Sequence, residues 1–367
     1  MRTIRLVLAG LGHVGSNFLQ LMHTQRAVLR EVHGLEFVLV GAADSRHVIA
    51  HPDGLDPLEV QKAKRRPEGL STFVARRQAT PLLEVSALVE QTDADILLEA
   101  TPVNLQHGQP GLDLVRSALR RGVHAVLANK GPLALAYSEL AAAAHFPWGK
   151  APWDKDALEG AHPQDPTAKQ SKLRFSACVG GALPTINIGL RDLAGTRITK
   201  VEAAVNGTCQ GIVRMMERDI SFGDALAEMQ RRGVVEKDPA LDIDGWDEAV
   251  KLVIIANAVL RQPTTLADVT VEGIRALTPQ HLQNVLGWEE RITLVGSAEW
   301  NGERYDLSVQ PTALPIDHPI SRMDDDEMGV VYHTDVSGRI SAFSAETSAV
   351  PTAAAMVRDV IDIAAGG

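Results

Sequence analysis

Cysteine is nearly absent: Cys178 and Cys209 are the only two in 367 residues, so the chain can close at most one disulfide. A chain of this size needs no such staple, and both are read as reduced thiols of a cytoplasmic protein. Long apolar runs are missing as well, since no stretch reaches the roughly 18 apolar residues that a membrane-crossing helix requires. The opening run Ile4–Ala9 is too short for a secretory leader, and it ends in glycines followed by His13 and Asn17 rather than in a small-residue cleavage site. Clustered cations are lacking too. Against 46 Asp and Glu stand 36 Lys and Arg, the formal charge is −10, and there is no basic stripe or tail. Nucleic acid and anionic membrane surfaces need such clusters and are excluded as partners. A small-molecule substrate is the expected partner instead. No internal repeat is evident.

What is present is an ordinary globular composition. An apolar fraction of 45% excludes disorder for most of the chain, and the length suggests two domains at about 150 residues each. In the first half, Ile4–Ala9, Leu35–Ala42, Ile96–Ala100 and Val123–Ala128 read as short strands of the kind buried on both faces of a parallel sheet. Helical spacing is read over Val14–Val32, Leu82–Glu90, Pro110–Arg121 and Pro132–Ala144, with a mixed insertion over Ala50–Thr80. Such βαβ units close right-handed into an open, doubly wound sheet. Residues His145–Lys172 carry four prolines and two tryptophans, Trp148 and Trp153, and read as a surface excursion. Beyond it, strands over Ile198–Val205, Arg291–Trp300, Glu303–Gln310 and Val330–His333 mix with helices over Phe222–Arg232 and Trp246–Leu260. Ser221 before Asp224 marks a helix start and Gly233 its stop. Without strict alternation, this half is α+β.

Gly10-Leu11-Gly12-His13-Val14-Gly15 matches G-x-G-x-x-G between a strand and a helix. The glycines permit a tight turn, close approach of backbone to a pyrophosphate, and close helix–strand packing, while the helix N-terminus offers amides to the phosphates. Gly10, Gly12, His13, Val14 and Gly15 are therefore candidate dinucleotide contacts. Asp44, after the second strand, is placed to accept hydrogen bonds from ribose hydroxyls, which leans toward NAD, while Arg46 could instead meet the 2′-phosphate of NADP. The expected fold is α/β: a Rossmann-like doubly wound parallel sheet over 1–145, a connecting excursion over 146–175 and an α+β substrate-binding and dimerisation domain over 176–335. A C-terminal segment over 336–367 follows, its last helix, about Thr352–Ala365, returning to the first domain.

Downstream, Thr101-Pro102 and Asn129-Lys130 each follow a strand, where loops cross the carboxyl end of a doubly wound sheet. A second group runs from Glu236 to Lys251. Asp247 and Lys251 are four apart, on one face of a helix whose continuation Leu252–Ala258 is almost wholly apolar. Charges on a buried helix are rarely kept without a partner. An acidic loop ending in a carboxylate–ammonium pair suits a zwitterionic substrate: carboxylates hold an amino group, and a lysine handles a hydroxyl proton.

These residues resemble the homoserine dehydrogenase family along nearly the whole chain. The resemblance is carried by the glycine turn, Ala128-Asn129-Lys130, Val179-Gly180-Gly181-Ala182-Leu183-Pro184, Asn206-Gly207-Thr208, and the run from Asp238-Pro239 through Asp242 and Gly245-Trp246-Asp247 to Lys251. It implies an NAD(P)-dependent enzyme that interconverts L-homoserine and L-aspartate 4-semialdehyde. Lys251 would be the proton donor or acceptor and Lys130 a second active-site lysine beside substrate and nicotinamide. Glu236 and Asp247 would be substrate ligands, Thr208 and Gly207 would line the same pocket, and the carbonyls of Val179, Gly181 and Leu183 would hold sodium or potassium. It also implies a homodimer and, with nothing after the catalytic core, no regulatory module. The chain departs from the family at Ser176, where relatives often carry a glutamate of the cation site, at Cys209-Gln210-Gly211, and at Glu346–Val350 in place of a glycine-rich turn. A related amino-acid or semialdehyde dehydrogenase and a non-catalytic NAD-sensing protein are the alternatives. An acylating aldehyde dehydrogenase would need a positioned catalytic cysteine.

Overall fold

The computed structural model describes residues 1–144, 170–232 and 239–366. The expected excursion, with Trp148 and Trp153, lies for the most part outside the described residues, as do Gly233 and Glu236. The chain forms two compact units: Met1–Gly181 with Ala349–Gly367, and Ala182–Ser348.

The first unit is built on a seven-stranded sheet in the order β4-β3-β2-β1-β5-β6-β7. Strands β1 (Arg2–Ala9), β2 (Leu35–Ala43), β5 (Ile96–Glu99), β6 (His124–Leu127) and β7 (Leu173–Arg174) pair in parallel. Their apolar runs fill the core with Leu6, Leu8, Leu39 and Leu98, each at most 1% exposed. Helix α1 (His13–Thr24) follows β1, and the helix expected over Val14–Val32 divides at Gln25, beyond which α2 spans Arg26–Glu31. The expected insertion is an antiparallel edge. Strand β3 (Val48–Leu55) pairs antiparallel with β2 and with β4 (Thr80–Leu82), and α3 (Pro57–Lys64) and α4 (Ser71–Ala75) lie between them in sequence. Leu82–Glu90 is not one helix: Pro81 stands in the edge strand β4, where a missing N–H costs least, and only α5 (Ala87–Glu90) is helical. Helices α6 (Gly111–Arg120) and α7 (Gly131–Ala143) follow β5 and β6.

The second unit holds a six-stranded sheet in the order β13-β12-β8-β10-β11-β9. Its strands are β8 (Ile198–Ala204), β9 (Val269–Val271), β10 (Glu290–Trp300), β11 (Tyr305–Pro315), β12 (Glu327–Thr334) and β13 (Arg339–Ala345), antiparallel except β9 on β11. Its helices are α8 (Thr185–Asn187), α9 (Gly207–Met216), α10 (Phe222–Arg231), α11 (Ala240–Ile243), α12 (Trp246–Ala258) and α13 (Pro279–Leu286). Ser221 caps α10, accepting from the Asp224 amide at 3.1 Å. The expected boundary at residue 336 falls inside the hairpin of β12 and β13, whose pairing keeps 339–345 in this unit. The return to the first unit begins at Ala349. There α14 (Val350–Ala365) packs Met356, Val360 and Ile363 into the same core as Leu6 and Phe18, as expected of the last helix.

Candidate active site

In the first unit the glycine turn leaves β1 at Gly10, whose φ of +97° and whose 2.2 Å from a built Cβ to the Ala100 carbonyl oxygen admit no side chain. A Cβ at Gly15 would stand 2.0 Å from the Gly10 carbonyl oxygen, so α1 and β1 approach as closely as this residue allows. Gly12 faces open space, with nothing within 4 Å of its missing Cβ, and no side chain caps α1 there. A cradle without side chains, opening on the free amides of a helix start, fits a pyrophosphate.

Asp44 is engaged within its own turn. Its side chain is 1% exposed. One oxygen accepts the Arg46 and His47 amides, both at 2.9 Å, and the other accepts Lys64 Nζ at 3.1 Å. Burial opposes its charge, but the two amides and Lys64 outweigh it and hold the carboxyl below its ordinary range. This carboxylate builds the turn between β2 and β3.

At the carboxyl ends of β5 and β6, Thr101 and Lys130 sit at the starts of their loops. Thr101 donates from its backbone N–H, at 3.0 Å, and from its hydroxyl to Glu99, which is wholly buried. Pro102 is exposed. Asn129 accepts the Gly131 amide at 2.9 Å and donates to the Thr101 hydroxyl at 3.2 Å, and Lys130 is the N-cap residue of α7.

In the second unit the acidic motif closes around the Val205-Asn206 junction between β8 and α9. Lys251 Nζ lies 2.6 Å from Asp247 Oδ2 and donates to the Val205 carbonyl. Glu248 accepts the Val205 amide at 3.1 and 3.2 Å, so α12 holds both the N–H and the C=O of Val205. Gly245, at φ +85° and tight against Val271 and Val309, starts the helix. Asn206 caps α9, accepting the Cys209 amide at 2.9 Å, and donates to Asp242 Oδ1 at 2.8 Å and Asp247 Oδ2 at 2.9 Å. Burial alone would pull the Lys251 pKa down. Asp247, Glu248 and Asp242 outweigh it, so the net shift is upward and the ammonium form is held. Gly207 and Thr208 form the first turn of α9, with open space over Gly207.

Asn206, Asp242 and Glu248 join this cluster, and sequence reading assigned them no role. An Asn-Gly-Thr after a strand is itself a helix-start signal, and a second acid beside Asp247 on an apolar helix was the clue to Glu248. Val179 and Gly181 close the first unit and Leu183 lies just inside the second, with Gly180 and Gly181 at φ +77° and +58°. Ser176 is engaged elsewhere: its hydroxyl and amide both bond to buried Asp359, at 2.6 and 2.9 Å. Both cysteines are free and buried, and burial pushes their thiols up, which suits neither for nucleophilic work.

A dinucleotide cradle at the switch of a doubly wound sheet, with a lysine–carboxylate cluster on a separate α+β unit, defines a nicotinamide-dependent dehydrogenase of two units. Family comparison is specific. The model described as homoserine dehydrogenase, NAD binding domain, matches residues 10–146, and that described as homoserine dehydrogenase matches 184–361. The homoserine dehydrogenase of Methanocaldococcus jannaschii is 30% identical, over 98% of this chain and 98% of its own. The NAD(+)-dependent homoserine dehydrogenase of Pseudomonas canavaninivorans is 28% identical, over 99% and 97%. A solved structure from Archaeoglobus fulgidus superposes with a TM-score of 0.81 at 28% identity, covering 98% of this chain and 99% of that one. The chain belongs to the homoserine dehydrogenase family, and its first unit carries that family's NAD-binding domain.

Proposed function

We propose that this chain interconverts L-homoserine and L-aspartate 4-semialdehyde, with Lys251 as the acid and base at the substrate oxygen. The observation that carries this reading is the Lys251–Asp247–Asn206 cluster on the Val205 carbonyl. A bound nicotinamide supplies or accepts the hydride. In reduction, negative charge grows on the aldehyde oxygen, and the Lys251 ammonium stabilises that charge and delivers the proton. In oxidation the same nitrogen must be neutral to take the hydroxyl proton. Because Asp247 and its neighbours hold the proton on, that form grows only toward alkaline pH. Glu236, outside the described residues, is assigned to the substrate amino group, and Asp247 is a further substrate ligand. The amides of Gly207 and Thr208, at a helix N-terminus, suit the carboxylate. Lys130 is the second active-site lysine.

The lean toward NAD rested on Asp44 reaching a ribose. NAD or NADP is the cofactor; the carboxylate of Asp44, engaged in its turn, is no longer an argument for one over the other. Sodium or potassium on the carbonyls of Val179, Gly181 and Leu183 belongs to the same reading, as does a homodimer through the second unit's sheet. We place the protein in the cytoplasm, and no helix among the described residues is long and apolar enough to cross a membrane. The test is homoserine-dependent reduction of each cofactor across pH 7 to about 10, run in sodium, potassium and choline salts. Activity rising with pH is expected. No activity with either cofactor removes the reading, a flat profile with chemistry rate-limiting removes Lys251 as base, and equal rates in choline remove the cation.

A further inference from the structure

Glu99 is the last residue of β5 and 0% exposed, and among the described residues its state is set by burial and by hydrogen bonds from Thr101 and Asn129. A carboxyl group in such a place is costly unless its geometry serves something. Its Oε1 takes both the backbone N–H and the hydroxyl of Thr101. The Thr101 hydroxyl in turn accepts from Asn129 Nδ2 at 3.2 Å, and the other end of that amide accepts the first N–H of α7, beside Lys130. Helix α6 leans on the same pair: a Cβ at Gly111 would meet Asn129 Nδ2 at 2.7 Å and Glu99 Oε1 at 3.0 Å. On the far side, the Ala100-Thr101 peptide packs on Gly10 of the glycine turn. One buried side chain therefore links the loops after β5 and β6, and the peptide that follows it packs on the glycine turn after β1. Burial pushes its pKa up to about 7, against the pull of Thr101 and Asn129.

We infer that Glu99 is a positioning residue for cofactor binding: through Thr101 and Asn129 it fixes the rim on which the nicotinamide half of the dinucleotide rests and the turn that presents Lys130. The inference rests on the dinucleotide reading of the first unit and deepens it. What the network needs from Glu99 is an acceptor of the right shape, so its amide isostere should serve.

The test is titration calorimetry of NAD and NADP on the full chain, with thermal melting of each variant. Glu99→Ala is expected to weaken cofactor binding about tenfold or more, the scale of a lost buried acceptor, and Glu99→Gln to restore it to within about threefold of wild type. Thr101→Val, which keeps the amide and loses the hydroxyl, should fall between them. Folded Glu99→Ala that binds like wild type overturns the inference, and so does Glu99→Gln as weak as Glu99→Ala. If Glu99→Ala does not fold, Thr101→Val decides, wild-type affinity being the overturning result. No binding by wild type overturns the functional reading and this inference with it, whereas binding that neither variant alters overturns this inference alone.

Discussion

The amide of Asn206 caps α9 with its oxygen while its nitrogen donates to both Asp242 and Asp247. That second role matters more for chemistry. Two carboxylates brought to one donor repel each other unless something polar stands between them, and Asp247 must stay ionised to hold the Lys251 proton. Asn206→Ala should cost about 0.5–2 kcal/mol of stability for the lost cap. It should also lower kcat by about tenfold to a hundredfold, because Asp247 and Lys251 lose their fixed geometry. Melting and steady-state kinetics on the same preparation read both. Lost stability with unchanged kcat would make Asn206 a cap and nothing more. Little of this was legible beforehand. The pair Asp247 and Lys251 announced itself by helical spacing on an apolar helix, whereas Asn206 and Asp242 meet across 36 residues of chain, a distance no local pattern encodes.

Among the elements, β1, β2, β5 and β6 were readable because a strand buried on both faces leaves a short, continuous apolar run. The edge was not. Strand β3 carries Pro52, Asp53 and Gly54, and β4 contains Pro81, residues that argue against a strand everywhere except at a sheet's margin. Helix α9, Gly207–Met216, was missed: no element was placed between the strand ending at Val205 and the helix starting at Phe222. The turn between β2 and β3 shows the same limit: Asp44 has the position of a ribose reader and the bonds of a turn residue. Asp44→Ala should therefore lower stability by roughly 0.5–1.5 kcal/mol, the scale of lost hydrogen bonds in a partly exposed turn, and weaken NAD and NADP alike. A selective loss of NAD binding, measured by calorimetry, would restore the ribose role.

For the whole molecule, the glycine turn, two lysines and an acidic run in their family order were enough to reveal the architecture, because each of those residue types is demanded by the chemistry it serves. The second unit's packing is less constrained and was less legible. Its edge strand β13 exposes Ile340 and Phe343, at 37% and 39%, which accords with a second chain completing that sheet. Light scattering on the purified protein should give a two-chain mass, and a one-chain mass at micromolar concentration would remove the dimer.

If Lys251 moves the proton at the substrate oxygen, its loss should be open to chemical rescue, read as homoserine oxidation by Lys251→Ala with and without small primary amines. A fall in kcat of about a hundredfold to ten-thousandfold is expected, partly restored by added amine in proportion to its neutral form. Folded Lys251→Ala turning over at near the wild-type rate would contradict it.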